Sequence, residues 1–247
     1  MPASADRREL SFDLVADEYE RTRPSYPPDL LDVLPLGADA AVLDVGAGTG
    51  KLTRVLAARY AEVTAVEPLA NMRAMLERVV PGVKALAGSA ERIPLDDASV
   101  DGVFAAQAFH WFEKDVALPE IARVLRPGGV FAVIWNGPDE EQASPLPDAF
   151  RAELDALHDA VSHPWREEPE WEDLLRATGA FADVHERTSV VHDHVLDRAE
   201  LLDNARSVSW IASREDRDEV VARLGELLPD GTYSIPNRAN ILWARKA

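Results

Sequence analysis

An acidic residue followed by closely spaced glycines marks a point where this sequence could bind a ligand. In VLDVGAGTGKL, residues 42–52, Asp44 stands two positions before Gly46, and Gly48 and Gly50 follow at alternate positions. An apolar run that leads into such glycines predicts a buried strand and then a turn tight enough for a ligand to touch the backbone. The alternatives are that the glycines form a bare turn, and that Asp44 only stabilises the start of the next helix.

The spacing of these residues limits which nucleotide could bind. A dinucleotide site uses G-x-G-x-x-G, whereas here the third glycine comes one position early, and Lys51 is followed by Leu52 rather than by the hydroxyl residue of a P-loop. The Asp44 carboxylate would repel a pyrophosphate and would favour a ligand that carries ammonium and sulfonium groups. Glu67 ends the next predicted strand, VTAVEP, where an acid can accept both hydroxyls of a ribose.

The chain around these residues alternates between β-rich and helical patterns. Strands are predicted at residues 40–45, 62–66, 83–87, 100–106 and 130–135, and the alternation indicates a parallel sheet with helices on both faces. Beyond residue 136, helices are predicted at 149–161, 167–177, 197–205 and 215–228, and strands near 184–191 and at 241–245. Ligands of such sheets lie beyond the carboxyl ends of the strands, which is where Asp44 and Glu67 stand.

Composition excludes several classes of protein. The chain has 247 residues, with 26 basic and 44 acidic side chains, and its formal net charge is −18. This charge argues against nucleic acid as a partner, and the absence of cysteine excludes disulfides and thiolate sites. The N-terminus has no apolar signal core and no apolar run approaches membrane-spanning length. We therefore expect a cytoplasmic protein without nucleic-acid or membrane partners; its oligomeric state is left open.

Taken together, three motifs resemble the class I S-adenosylmethionine-dependent methyltransferases, in particular the small-molecule and trans-aconitate-type group. They are VLDVGAGTGKL, VTAVEP and AGSAERIPLDDASVDGVFAAQAFHWF, residues 87–112. The resemblance runs from about residue 36 to 135, and more weakly over ADEYERTRPSYP, residues 16–27, which looks like a lid segment. It implies an α/β fold with a doubly wound, mostly parallel seven-stranded sheet, a helical cap insertion and S-adenosylmethionine as cofactor.

Four segments follow from this interpretation. Residues 1–36 form an N-terminal helical lid, and residues 37–136 form the S-adenosylmethionine-binding core. The proline-rich stretch NGPDEEQASPLPD ends the regular alternation, so residues 137–228 are predicted to supply cap helices and a late sheet strand. Residues 229–247 supply a C-terminal strand that completes the sheet.

The resemblance also implies a set of cofactor-binding residues: Asp44, Gly46, Ala47, Gly48, Glu67, Pro68, Met72, Ser89, Ala90 and Gln107. In this interpretation Asp44 and the carbonyl groups of the glycine turn hold the methionine ammonium, and Glu67 binds the ribose. Pro68 and Met72 flank the adenine.

Two further segments contribute to the implied cofactor site. Ser89 and Ala90 lie at the adenine edge, Ala90 through its backbone N–H, and Gln107 lies near the methionine. Ser89 stands where the family more often has an aspartate, and a hydroxyl accepts a hydrogen bond from the adenine amino group less strongly than a carboxylate does.

Residues for the methyl acceptor are predicted in two places. His110, in the motif FHWF, is the candidate catalytic base, and Trp111 is a candidate substrate contact; the alternative is a packed aromatic cluster with an inert histidine. Tyr19, Arg23 and Tyr26 are candidate lid contacts that could instead brace the N-terminal helix.

We expect a small organic acceptor that is methylated on oxygen, a carboxylate or else a phenol. Its pocket is predicted to be walled by the N-terminal segment, FHWF and the cap. The spacing of His192 and His194 is ligand-like, yet no carboxylate or cysteine pattern completes it, so we predict no metal site. Two alternative functions remain: a nucleotide-binding module without turnover and a nicotinamide-dependent oxidoreductase.

Overall fold

The protein divides into two compact units. A computed structural model describes residues 10–161, 170–185 and 187–247. The first unit consists of the described parts of Met1–Pro24, Pro138–Arg166 and Val191–Asn237. The second consists of the described parts of Ser25–Gly137, Glu167–Val190 and Arg238–Ala247. The predicted segment 1–36 is therefore divided between the units after Pro24.

The strands of the described residues form one sheet. They are β1 (Ala41–Val45), β2 (Glu62–Val66), β3 (Lys84–Leu86), β4 (Val100–Ala106), β5 (Leu125–Pro138), β6 (Phe181–Ala182), β7 (Thr188–Asp197) and β8 (Thr232–Lys246). Seven of them follow the order β3-β2-β1-β4-β5-β8-β6, and β7 pairs with β8 beside this path. The first five are parallel, whereas β6 and β8 are antiparallel. The predicted α/β fold class with a mostly parallel sheet is confirmed, but the described sheet has eight strands rather than the predicted seven.

The helices that the structure describes are α1 (Ala16–Thr22), α2 (Lys51–Arg59), α3 (Ala70–Val79), α4 (Lys114–Val124), α5 (Asp148–Asp159), α6 (Trp171–Ala177), α7 (Arg198–Ser207), α8 (Ser209–Ala212) and α9 (Arg217–Glu226). Short 3-10 helices stand at Phe12–Leu14, Pro28–Val33 and Phe109–Trp111. None of these described helices is long and apolar enough to cross a membrane.

The second unit has an apolar core on each face of the sheet. On one face Leu118 and Ile121 of α4 pack with Val103. On the other face Leu52 of α2 packs with Phe104. These neighbouring strand residues point to opposite faces because side chains alternate along a strand. The sheet is therefore covered on both sides, as the strand and helix alternation predicts.

The first unit is held together by its own apolar cluster. Phe150 of α5, Leu201 of α7 and Leu224 of α9 are buried in it. Asp197 caps α7: its carboxylate accepts the backbone N–H of Glu200, and the Glu200 carboxylate accepts the N–H of Asp197. This reciprocal arrangement satisfies two backbone donors at the start of the helix.

Several boundaries differ from the sequence expectations. β5 and β8 are longer than the predicted strands at 130–135 and 241–245. The strand predicted near 184–191 is observed at Thr188–Asp197, and the short strand β6 and the helix α8 were missed. Asp183, which stands between β6 and β7, has φ 48°, a left-handed turn conformation that does not continue a strand. Residues 167–169 of the helix predicted at 167–177 lie outside the described residues.

Candidate functional site

The glycine turn lies between β1 and α2, and its glycines differ in what surrounds them. Gly46, Gly48 and Gly50 have φ of 68°, 57° and 90°, a region that favours glycine. A Cβ on Gly46 would lie 2.6 Å from the Ala108 Cβ, so Gly46 allows close packing. A Cβ on Gly48 would meet nothing within 4 Å among the described atoms. The backbone at Gly48 is therefore open to an approaching ligand.

Asp44 is a buried carboxylate with one uncompensated oxygen. Its side chain is 1% exposed, and Oδ2 accepts a hydrogen bond of 2.6 Å from the hydroxyl of Thr53 on α2. Oδ1 has no hydrogen-bond partner in the described part of the chain. The pKa of Asp44 is raised to about 7 in total: burial is the largest cause, the hydrogen bond from Thr53 lowers the pKa, and the charge of Glu67 raises it. Buried polar atoms without partners are rare, so a donor or cation is expected at Oδ1.

Glu67 joins the glycine turn to the start of α3. The side chain is 5% exposed. Its Oε2 accepts the N–H of Gly48 at 2.8 Å, and its Oε1 accepts the N–H of Leu69 at 2.9 Å. A carboxylate oxygen can accept two hydrogen bonds, so ribose hydroxyls can join these backbone contacts. Of the predicted adenine contacts that follow Glu67, Pro68 is exposed and Met72 is buried on α3.

The loop after β3 places Ser89 and Ala90 in a closed turn. The backbone N–H of Arg92 donates to the carbonyl of Ser89 at 3.2 Å, and Ala90 is 2% exposed. The N–H of Glu67 bonds to the carbonyl of Leu86 at the end of β3, so this loop leaves the sheet beside Glu67. The predicted ribose contact Glu67 and the predicted adenine contacts Ser89 and Ala90 therefore follow two adjacent strands, β2 and β3.

Gln107 ends β4 in an unusual backbone conformation. Its φ is 53°, a value that costs energy for a residue other than glycine. The backbone N–H of Gln107 donates to the carbonyl of Ile134, and its side-chain amide donates to the carbonyl of Asn136. These two hydrogen bonds connect the end of β4 to β5. The Asn136 side chain in turn donates to the carbonyl of Ser25 at 3.0 Å. Strained backbone of this kind is common at functional sites.

The FHWF segment divides into one core residue, Phe109, and three partly exposed ones, His110, Trp111 and Phe112. Phe109 is 1% exposed, and its ring packs edge-on at 5.3 Å from the ring of Trp171. His110 and Trp111 are half-buried, with their rings 4.9 Å apart. Lys114 donates to the backbone carbonyl of His110 at 3.4 Å. Packing thus explains Phe109, while His110 retains the partial exposure that a base requires.

The predicted lid residues do not belong to a single unit. Within the first unit, Arg23 donates to the hydroxyl and the carbonyl of Ser207 at 3.0 and 3.1 Å, and its guanidinium lies 5.4 Å from the Tyr19 ring. Tyr26 belongs to the second unit, where it is 7% exposed in the same core as Leu30. Tyr26 is therefore a core residue of the second unit, and its predicted role as a lid contact stays a prediction.

Sequence reasoning missed two residues of this site. Thr53 is not among the predicted site residues, although a hydroxyl residue on the first helix after the glycines is a usable signal. Asn136 was taken only as the end of the regular alternation. Among the residues that the structure describes, no group of three or more histidine, cysteine, aspartate or glutamate side chains could hold a metal ion.

Comparison with known proteins identifies the class to which this chain belongs. A family model described as a methyltransferase domain matches residues 43–133. An uncharacterized methyltransferase of Mycobacterium bovis is 40% identical over 216 residues, which cover 84% of this chain and 89% of that relative. The chain therefore belongs to the class I S-adenosylmethionine-dependent methyltransferases.

Two further matches extend the comparison. A malonyl-[acyl-carrier protein] O-methyltransferase of Methylococcus capsulatus is 40% identical over 119 residues, 46% of this chain and 42% of that relative. A solved structure from Anaeromyxobacter dehalogenans, assigned as a type II methyltransferase, has a TM-score of 0.58 at 26% identity and covers 91% of this chain and 97% of that chain.

Proposed function

We propose that this methyltransferase binds S-adenosylmethionine at the carboxyl ends of β1, β2 and β3 and transfers its methyl group to an oxygen atom of a small organic acceptor. The observation that carries the cofactor site is the buried Oδ1 of Asp44, which has no partner among the described residues. A bound ammonium would compensate this oxygen, since opposite charges attract strongly where water is excluded.

The remaining residues fit the same cofactor. Gly48 leaves space beside the turn, and Glu67 bridges the turn to α3 with oxygens that can also accept ribose hydroxyls. Ser89 and Ala90 follow the adjacent strand and can reach the adenine. A pyrophosphate in the same place would face the Asp44 and Glu67 carboxylates, which disfavours a dinucleotide.

The chain's contribution to methyl transfer is alignment and proton control. S-adenosylmethionine supplies, when bound, a methyl group on a positively charged sulfur, which is already a good leaving group. The protein must hold an acceptor oxygen in line with that methyl, and effective molarity can account for about 7–11 kcal/mol of the barrier at best. A carboxylate acceptor is ionised at neutral pH, whereas a phenol with a pKa near ~10 needs a base.

Oxygen is supported as the acceptor atom by two considerations. One relative, 40% identical over 119 residues, is named as a malonyl-[acyl-carrier protein] O-methyltransferase. In addition, His110 follows the carboxyl end of β4 and is half-buried, which suits a base for a phenol. The name of that relative favours a carboxylate acceptor, with a phenol as the second candidate.

The acceptor is tested by screening carboxylates, phenols, amines and thiols with radiolabelled methyl donor. The screen is then repeated with His110→Gln. Loss of His110 is expected to leave saturated carboxylate methylation nearly unchanged, and to slow phenol methylation roughly 10²–10⁴-fold. His185→Gln is the matched control, because His185 is an exposed histidine stacked on Trp243. Transfer only to nitrogen, sulfur or a macromolecule would contradict the proposal.

A further inference from the structure

Arg123 on α4 uses every N–H donor of its guanidinium. Its Nε and one Nη2 hydrogen donate to the two carboxylate oxygens of Glu120, at 2.8 and 2.9 Å. The other Nη2 hydrogen donates to the carbonyl of Ile93 at 3.0 Å. Its Nη1 donates to the carbonyl of Leu95 at 2.9 Å and to the carboxylate of Asp97 at 2.7 Å. One helical side chain therefore holds three points of the loop between β3 and β4.

Glu120 completes a clamp on the same loop. Its Oε1 accepts the backbone N–H of Ile93 at 2.9 Å, so Glu120 and Arg123 together hold both the N–H and the carbonyl of that residue. The hydrogen bond from Arg123 lowers the pKa of the Glu120 carboxyl, which keeps it ionised. The end of the loop is also fixed, because the N–H of Ala98 donates to the backbone carbonyl of Arg123 at 2.9 Å.

The beginning of this loop lies beside the carboxyl end of β2, where Glu67 stands in the proposed cofactor site. A Cβ on Gly88 would come within 3.2 Å of Val66 Cγ1, and Val66 directly precedes Glu67. The turn that Arg92 closes onto Ser89 leads straight into Ile93. The segment 89–92 is therefore anchored at its two ends, by the packing of Gly88 against β2 and by the hydrogen bonds of Ile93 to Glu120 and Arg123.

We propose that Glu120 and Arg123 are positioning residues that set the base specificity of the cofactor site, an inference that rests on the proposed cofactor site. Adenine presents an amino donor and a ring-nitrogen acceptor along one edge. The Ser89 hydroxyl can accept from the first, and the Ala90 N–H can donate to the second. Hypoxanthine presents a carbonyl and an N–H at the same two places, so it mismatches both contacts. The clamp holds these partners in register without touching the base.

The test compares two ligands that differ only in this edge of the base. Dissociation constants for S-adenosylhomocysteine and S-inosylhomocysteine are measured by calorimetry on the full chain. The wild type is expected to prefer the adenine compound by about tenfold or more. Arg123→Met is expected to weaken binding of the adenine compound about tenfold and to reduce the preference to within about threefold. Arg123→Lys and Glu120→Gln should give intermediate values, because each keeps part of the clamp.

Arg126→Met is the matched control. Arg126 makes a similar ion pair with Asp101, at 2.6 Å, but at the amino end of β4. The Arg126→Met variant is expected to leave both dissociation constants unchanged. If Arg123→Met does not fold, as judged by its melting temperature, the two conservative variants give the answer.

The outcomes separate this inference from the proposed function. Folded clamp variants with a wild-type preference, or with equal weakening of both ligands, would overturn the positioning role alone. A wild-type chain that binds neither compound would overturn the proposed cofactor site and this inference with it.

Discussion

At the scale of single residues, Asp44 links the folding of the chain to its proposed ligand. Its pKa in the folded protein, about 7, lies above the ordinary value of 3.8. The folded state therefore keeps a proton that the unfolded chain loses. This stabilisation is complete below pH 3.8 and is lost as the pH rises through about 7. Binding of an ammonium favours the ionised carboxylate, so ligand affinity should follow the opposite trend.

We predict that S-adenosylhomocysteine binds more tightly as the pH rises toward 7. The gain should approach about tenfold per pH unit below the pKa of Asp44, and affinity should level off above it. Calorimetric titrations across roughly pH 5 to 8 would measure this. Methylthioadenosine, which lacks the ammonium, serves as the control and should bind with little pH dependence.

Asp44→Asn tests the assignment of that pH dependence. The variant removes the ionisable group, so its affinity for S-adenosylhomocysteine should be weak and nearly constant over the same range. The free variant should also lose the decline in stability that the buried carboxylate causes toward neutral pH. A pH dependence that persists in Asp44→Asn would assign the effect to another group.

At the scale of elements, the glycine turn combines a packing requirement with an open face. Gly46 faces Ala108, on the segment after β4, whereas Gly48 has no described atom where a side chain would stand. Both have positive φ, so alanine strains the backbone at either position. Beyond this strain, alanine at position 46 should disturb packing, whereas alanine at position 48 should disturb ligand binding.

We predict that Gly46→Ala destabilises the fold and that Gly48→Ala mainly removes ligand binding. Gly46→Ala adds a clash to the strain and should lower the free energy of unfolding by on the order of 3 kcal/mol. Gly48→Ala should cost only about 1–2 kcal/mol but should fill the space into which the ligand fits. Thermal melts and titrations with S-adenosylhomocysteine distinguish the two effects.

Gly82→Ala is the control for backbone strain alone. Gly82 has φ 93°, a Cβ there would meet nothing within 4 Å of described atoms, and it lies before β3, away from the strand ends that carry the site. The Gly82→Ala variant should lose about as much stability as Gly48→Ala, yet it should bind S-adenosylhomocysteine as tightly as the wild type does. If Gly48→Ala also bound normally, the open face of the turn would not be a ligand surface.

At the scale of the whole molecule, the proposed ligand contacts come from separate strands of one sheet. Asp44 lies near the end of β1 and Gly48 follows that strand, Glu67 follows β2, and Ser89 follows β3. A ligand that joins these points binds only the folded state and should stabilise it by mass action. The net charge of −18 and the buried carboxylates of Asp44 and Glu67 oppose ligands that carry phosphates.

We predict that S-adenosylhomocysteine raises the melting temperature and that nicotinamide dinucleotides do not. At a concentration of about 100 times the dissociation constant the stabilisation is about 2.7 kcal/mol. For a chain of this size that corresponds to roughly 5–10 °C. A dinucleotide that raised the melting temperature as much would favour the oxidoreductase alternative.

The sequence by itself determined the class of fold and predicted the centre of the proposed cofactor site. Short apolar runs that alternate with helical patterns have few three-dimensional solutions, because each strand buries both faces. Glycines after an acidic strand end require a particular backbone whatever surrounds them. Local patterns therefore sufficed for β1, for the glycine turn with Asp44, and for the position of Glu67 at the end of β2.

Only the tertiary structure decided what each side chain contacts. Thr53 supports Asp44, and Arg123 holds Ile93, because the fold brings together residues that lie 9 and 30 positions apart. It also assigned Tyr26 to a different unit from Arg23, although they are close in sequence. Hydrogen bonds across such separations depend on how helices pack on the sheet, and no local pattern of residue types records that packing.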